Sequence, residues 1–191
     1  MIIGISGYAR VGKDTFGSSL CKILKEYGIK CETIALADSL KEKIANFIWT
    51  NFKISAYSQE TELKKIIRPM LVSFGESKRI QDPNFWITEC EKKFISGTLY
   101  IITDIRYENE AEWIISKNGF LLNLNRQLPD LSFVSSPNKE ESQNAPLVQK
   151  KCSFDLTWQT VDEETIEKIV DSFIISILAN RISEWKATFP L

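Results

Sequence analysis

Seven residues near the start of the chain, Gly7-Tyr8-Ala9-Arg10-Val11-Gly12-Lys13, have the spacing G-x-x-x-x-G-K. Glycine at both ends lets the backbone curl until its N–H groups point inward at an anion, and the lysine adds a point charge for terminal phosphates. The flanks fit that chemistry. Met1-Ile2-Ile3-Gly4-Ile5-Ser6 is a short apolar run that reads as a strand buried on both faces, and Phe16, Leu20, Ile23, Leu24 and Tyr27 recur with helical spacing beyond the loop. A strand feeding a helix through such a loop aims the positive dipole end of the helix at bound phosphate. Gly7, Arg10, Val11, Gly12, Lys13, Asp14 and Thr15 are therefore the candidates for gripping a polyphosphate.

The residue after the lysine is Asp14, where a Ser or Thr hydroxyl usually meets Mg²⁺, and Thr15 comes one later. Successive helix residues are about 100° apart, so Thr15 does not simply replace the missing hydroxyl. Either Asp14 faces the metal as a charged oxygen ligand, or Thr15 contacts a phosphate and the metal is held elsewhere. Both suit Mg²⁺, which keeps several waters and needs only one or two carboxylates. Asp104, directly after the apolar run Ile101-Ile102-Thr103, is the natural second acidic group, with Arg106 and Glu110 close behind it. The alternative for Asp104 is a helix cap.

Composition narrows the chemistry. The 191 residues contain no histidine, which removes Ser-His-Asp and Cys-His nucleophiles, His-ligated zinc and histidine pH switching. Lys plus Arg total 24 against 25 Asp plus Glu, for a net charge of −1, so polymeric nucleic acid is not the expected partner. Cys21, Cys31, Cys90 and Cys152 are scattered with no C-x-x-C pair, and read as reduced thiols. The chain starts directly with an apolar strand, without a basic segment or cleavage site, so no secretory signal is expected. Its longest apolar stretch, Phe173 to Ala179, is far short of the roughly 18 residues of a membrane span. The expectation is a reduced cytoplasmic protein acting on small molecules, away from membranes; oligomeric state, a homodimer included, stays open.

Elements that alternate must position these residues. Cys31 to Leu36, Thr98 to Thr103, Phe120 to Leu124 and Cys152 to Trp158 read as further strands. Helices are expected from Asp38 or Ser39 to Trp49, from Leu63 through Phe74 with Pro69 kinking or dividing the run, from Asp82-Pro83 to Phe94, and from Glu108 to Lys117. Thr160-Val161-Asp162-Glu163 fits a capping box ahead of an amphipathic helix carrying Ile166, Ile169, Val170, Phe173, Ile174, Ile177 and Leu178. Residues 127–151 show no period and read as a lid-like loop. The pattern predicts one α/β domain over 1–191: three αβα layers, a mostly parallel sheet of about five strands, and a lid or insert. Ligands of such sheets bind beyond the carboxyl ends of the strands.

Gly12-Lys13-Asp14-Thr15, Ala37-Asp38-Ser39-Leu40-Lys41, Arg68-Pro69-Met70-Leu71 leading to Phe74-Gly75, Arg79, Trp86, and Thr103-Asp104-Ile105-Arg106 followed by Asn109-Glu110-Ala111 together resemble the phage-type deoxynucleoside monophosphate kinases. These are a branch of the P-loop nucleoside monophosphate kinase fold. The similarity runs from residue 2 to about 126, roughly two thirds of the chain. The resemblance implies Mg²⁺-assisted transfer of the ATP γ-phosphoryl group to a deoxynucleoside monophosphate, in a host cytoplasm if the source is a phage. It makes Lys13, Arg68, Asp104 and Arg106 catalytic and Asp14 and Thr15 the metal side. Asp38, Lys41, Arg68, Gly75, Arg79, Trp86, Asp104, Arg106 and Glu110 would bind the acceptor, with 37–97 as the helical acceptor-binding region. Arg68 and Arg79 would clamp its phosphate, and Trp86 with Phe85 would offer its base a flat face. Arg68 and Arg79 could also be exposed helix charges, Trp86 simple core and Asp38 a cap. No arginine lies between Gln127 and Lys151, so either Arg126 at the base of that stretch serves the lid role or another helix carries it, with Glu141 as a further lid position.

Two other readings share the cradle. One is a P-loop kinase of a different phosphorylated acceptor, of the phosphomevalonate or dephospho-coenzyme A type. The other is a non-catalytic nucleotide switch, which would want Asn-Lys-x-Asp after a strand; Asn138-Lys139 is followed by Glu140-Glu141.

Overall fold

The computed structural model describes residues 1–159 and 163–188. In chain order the elements are β1 (Ile2–Ser6), α1 (Lys13–Glu26), β2 (Cys31–Ile34), α2 (Leu36–Phe52), α3 (Thr61–Gln81), α4 (Phe85–Glu91), β3 (Leu99–Ile102), α5 (Glu108–Ser116), β4 (Phe120–Gln127), α6 (Lys139–Gln149), β5 (Phe154–Gln159), α7 (Glu163–Phe173), a π-helical turn (Ile174–Leu178) and α8 (Ala179–Ala187). They form two compact units, Met1–Ile34 with Phe94–Leu191, and Ala35–Lys93.

The first unit is built on a five-stranded sheet in the order β2-β3-β1-β4-β5 with every neighbouring pair parallel. All residues of β1 and β3 are buried, as a strand covered on both faces requires. The two faces are covered differently. Ile3, Ile5, Leu122 and Leu124 pack with Phe16 and Leu20 of α1 and Phe173 at the end of α7, where the Phe16 and Phe173 rings meet edge to face. On the opposite face a Cβ at Gly4 would meet Ile114 Cδ1 at 2.3 Å, so α5 lies against bare backbone there. Each fully buried aliphatic or Phe side chain in this core contributes about 1.5–3 kcal/mol. Because β1 is central, the loop leaving its carboxyl end opens at the middle of the sheet, where ligands of parallel sheets bind.

The second unit is helical. Ile44, Ile48, Ile54, Ala56 and Ile67 form its core, with Leu40, Leu63, Met70, Leu71 and Phe74 packed around them. Here α3 runs unbroken through Pro69, so the expected division does not occur; its apolar face continues on both sides of the proline and holds the helix together across the missing hydrogen bond. Asp82-Pro83 forms a turn, with Phe85 N–H donating to Asp82 O at 3.0 Å, and the following helix is only the seven residues of α4. Helix α2 begins earlier than expected because Asp38 is not its cap residue; its Oδ2 accepts from Ala35 N–H at 3.2 Å, tying down the turn from inside. Phe47 of α2 and Ile66 of α3 are 55% and 49% exposed, and Tyr27 in the first unit is 50% exposed at the end of α1.

The larger departure lies in 127–151. This stretch contains the eleven-residue α6, started by Asn138, whose side-chain oxygen accepts from Glu141 N–H at 2.9 Å. Its only buried residues are Glu141 and Val148, so no apolar period marks it. The capping box expected at 160–163 falls mainly on residues outside the described ones. Beyond it the amphipathic helix is longer than expected, continuing through the π-helical turn into α8. All four cysteines are free thiols, and burial holds Cys152 up at about 12, an unreactive thiol rather than a nucleophile.

Candidate active site

The loop between β1 and α1 has the shape its sequence demands. Gly7 and Gly12 take φ of 129° and 93°, and neither could carry a side chain: a Cβ at Gly7 would sit 2.2 Å from Leu124 O, and one at Gly12 would sit 2.4 Å from the Trp158 ring. Arg10 holds φ 71°, the left-handed region that non-glycine residues enter at a cost. Trp158 of β5 closes the loop from behind, its Nε1–H donating to Val11 O at 2.7 Å. Sequence reasoning missed Trp158, since no local pattern links it to a loop 147 residues away.

Helix α1 starts at Lys13 with Gly12 as its N-cap and no side chain capping it, so its first N–H groups are left for a ligand. Lys13 Nζ donates to Gly7 O at 2.8 Å and Tyr8 O at 2.9 Å, folded back over its own loop. Burial lowers the Lys13 pKa and Arg106 pushes it further down, against the opposing pull of Glu141, Asp14 and Asp104. The charges of four residues from α1, the β3–α5 connection and α6 thus act on one ammonium.

Asp14 is exposed on the first turn of α1, and its Oδ1 accepts from Thr103 Oγ1 at 2.6 Å. That bond orients the carboxylate from the last position before Asp104, a partner that the sequence alone did not pair with it. Thr15 is exposed beside it. Arg126 reaches the loop from β4, with NH1 donating to Arg10 O at 3.3 Å. Glu110 is buried, with Oε2 accepting from Arg106 N–H at 2.8 Å and Tyr107 N–H at 3.1 Å. It braces the turn that presents Arg106 instead of offering an open face to a ligand. Glu141, expected as a lid position, lies against the loop: its Oε2 accepts from Ala9 N–H at 2.9 Å, and its Oε1 lies 3.5 Å from Arg106 NH1. The helix that carries it was missed, and the signal that could have found that helix is Asn138 followed three residues later by Glu141, the signature of a helix start.

The Ala35–Lys93 unit carries the other expected residues. Arg68, exposed on α3, borders an open depression lined also by Lys65, Pro69, Val72, Ser73 and Glu76. Arg79 is half-buried three turns on, and a Cβ at Gly75 would come within 3.4 Å of its NH1, so its guanidinium folds back over the glycine. Eleven residues on a helix is close to three whole turns, which puts Arg68 and Arg79 on one stripe about 16 Å apart along the axis. Asp38 pairs with Lys41 at 3.4 Å, and the Lys41 ammonium lies 5.7 Å from the centre of the Tyr57 ring. Trp86 is 2% exposed, its Nε1–H donates to Gly75 O at 3.2 Å, and Phe74 and Phe85 meet it edge-on. That is a core position. The open flat face expected of Trp86 is not there, and Phe85, with the Lys43 and Lys78 ammonium groups over its ring, is the half-buried aromatic of the pair.

A parallel sheet in the order 2-3-1-4-5, with a G-x-x-x-x-G-K loop after its central strand and acidic residues after the neighbouring one, is the P-loop kinase arrangement the sequence predicted. The model of the phosphomevalonate kinase family matches residues 5–120. The chain belongs to that family. The phosphomevalonate kinase match covers the loop, α3 and the β3–α5 connection, the same stretch that carries the resemblance to deoxynucleoside monophosphate kinases; the agreement is at the level of a P-loop kinase with a small acceptor, and that finer branch is not the one matched. No curated protein matches the chain. Among solved structures, shikimate kinase from Bacteroides thetaiotaomicron is 15% identical, with 91% of this chain and 96% of that one covered at a TM-score of 0.46. Shikimate kinase from Acinetobacter baumannii in complex with shikimate is 10% identical over 94% and 93%, at 0.49. Kti12 from Chaetomium thermophilum in complex with ADP-AlF3 is 14% identical over 93% and 99%, at 0.47. At these scores the likenesses carry no inference, and the fold rests on the sheet order, the loop and the family match. Among the described residues no helix is long and apolar enough to cross a membrane.

Proposed function

We propose that the chain transfers the γ-phosphoryl group of ATP to the phosphate of a deoxynucleoside monophosphate, giving the diphosphate and ADP. The observation that carries the donor half is the cradle: two glycines at positive φ, an uncapped α1 N-terminus and Lys13 gathered with Asp14, Asp104 and Arg106. An acceptor that is itself a phosphate needs no histidine base, because its oxygen is already ionised near neutral pH. One of its oxygens forms the new bond to Pγ while the bond from Pγ to the bridging oxygen breaks, and ADP leaves with that electron pair. Lys13 stabilises the charge that develops on the bridging and terminal oxygens.

Asp14, Thr15 and Asp104 fit a hard cation with oxygen ligands, and Mg²⁺ bound there would neutralise phosphate charge and fix the donor's geometry. Thr103 holds Asp14 in place for that task. Arg106, on a turn braced by Glu110, neutralises charge beside Lys13. Arg68 and Arg79 clamp the acceptor phosphate, bidentate work for which guanidinium is suited. Asp38 and Lys41 bind its polar groups, Phe85 lies against its base, and Arg126 stands at the base of the lid.

A second reading is favoured by the family match: the acceptor is phosphomevalonate or a similar small phosphomonoester. The cradle and Lys13 chemistry would be unchanged. ADP release measured with ATP and Mg²⁺ across all deoxy- and ribonucleoside monophosphates, phosphomevalonate and dephospho-coenzyme A separates the two. Turnover of at least one deoxynucleotide is expected; turnover of phosphomevalonate alone would transfer the assignment to the second reading.

A further inference from the structure

The contact between α6 and the loop has no place in the roles above. Glu141 is 8% exposed, yet it is a carboxylate on a helix with almost no apolar face. Its Oε2 takes the N–H of Ala9 at 2.9 Å, inside the G-x-x-x-x-G-K loop, where an anion is meant to bind. Its Oε1 is buried without a hydrogen-bond donor among the described residues, 3.5 Å from Arg106 NH1. Between the Gly7 end of the loop and α6 lies a cavity of about 20 Å³, lined by Ser6, Gly7, Arg106, Tyr107, Glu141 and Asn144 among others. That is room for about one water and not for a phosphoryl group.

We propose that the Glu141 carboxylate is a displaceable occupant of the donor-phosphate cradle, so that nucleotide entry and withdrawal of α6 from the loop are one event. The inference rests on the reading of residues 7–15 as the ATP site. A terminal phosphate brings more charge and more oxygens than one carboxylate, so Ala9 N–H and Arg106 both gain by exchanging Glu141 for it. Helix α6 can leave at modest cost. It buries only Val148 and Glu141, and a buried oxygen with no donor is already disfavoured. Its remaining ties to the loop side are exposed, such as the hydrogen bond from Tyr107 OH to Glu140. Transfer of the γ-phosphoryl group would let Glu141 return to Ala9 N–H and Arg106, which favours product release over rebinding.

The consequence is counterintuitive for a buried residue beside a catalytic loop: removing it tightens nucleotide binding. With the cradle blocked in most molecules, the apparent dissociation constant is the intrinsic one divided by the open fraction, so unblocking it lowers the constant by about tenfold if one molecule in ten is open. Calorimetric titration of wild-type protein, Glu141→Ala and Glu141→Gln with Mg²⁺·ATP, without acceptor, measures this directly. The expected order of affinity is Ala tightest, Gln intermediate because its amide oxygen still accepts from Ala9, and wild type weakest. Weaker binding in Glu141→Ala with recovery in Glu141→Gln would make Glu141 a fixed brace and overturn the proposal, as would equal affinities. If Glu141→Ala does not fold, Glu141→Gln against wild type decides by the same sign. Wild-type protein that binds no ATP would instead remove the donor-site reading itself, a separate outcome.

Discussion

The β1–α1 loop, proposed to take the donor, and the α3 stripe, proposed to take the acceptor, are built in opposite ways. In the loop the backbone would do the binding: Gly7 and Gly12 are shaped by contacts with Leu124 O and the Trp158 ring, Val11 O is held by Trp158, and Lys13 folds onto Gly7 O and Tyr8 O. On α3 the side chains would do it, from Arg68 on an exposed face to Arg79 lying over Gly75. A backbone cradle reads any polyphosphate and tolerates little change, whereas projecting arginines can be re-aimed for different acceptors without disturbing a core. This contrast explains why the donor chemistry is well defined by the fold while the acceptor's identity depends on a few exposed groups.

The contrast can be broken most forcefully at Lys13. Lys13→Ala should lower kcat by about 10²- to 10³-fold, the scale of losing one transition-state charge contact, with far less effect on the acceptor KM. A loss confined to KM would mean the lysine only binds. Its lowered pKa also sets the alkaline limit: activity needs the protonated ammonium, so it persists below that pKa and falls as pH rises through it. The falling limb of a kcat/KM profile for ATP, which reports the free enzyme, should therefore lie below the ordinary lysine value of 10.5.

Arg68→Ala comes next. It should raise the acceptor KM about 10- to 100-fold, from losing one charge-assisted clamp, while the ATP dissociation constant stays put. Equal losses for both ligands would erase the division between loop and stripe. Thr103→Val then removes the hydroxyl that orients Asp14, and the Mg²⁺ concentration for half-maximal rate should rise by about tenfold, as for other residues that position metal ligands. The smallest effect is on stability. Trp158→Phe leaves Val11 O without its donor, at about 1–2 kcal/mol, which lowers Tm by roughly 2–8 °C in thermal unfolding.

The same contrast governs what the sequence could reveal. The loop and the strand before it were legible because their requirements are local: glycines at fixed offsets, a lysine, an apolar run that must be buried on both faces. The five parallel strands followed from alternation of short apolar runs with helical periods. Trp158 and Thr103 were not legible as partners of the loop, because their roles depend on strands meeting across the sheet, β5 beside β4 and β3 beside β1. Trp86 was misjudged because an aromatic on an amphipathic helix looks the same in sequence whether it faces ligand or core; its indole N–H on Gly75 O and burial settle its place. Helix α6 escaped because its few buried residues, a glutamate and a valine, leave no period to detect.

The central claim is that the cradle delivers a phosphoryl group to another phosphate. Phosphorus NMR of the protein with Mg²⁺, ATP and an equimolar mixture of deoxynucleoside monophosphates observes that transfer without a coupling enzyme. The account predicts loss of the ATP γ resonance with matching growth of ADP and deoxynucleoside diphosphate signals, abolished by Lys13→Ala. Release of inorganic phosphate alone, or an unchanged spectrum over many hours in protein that binds ATP, would contradict it.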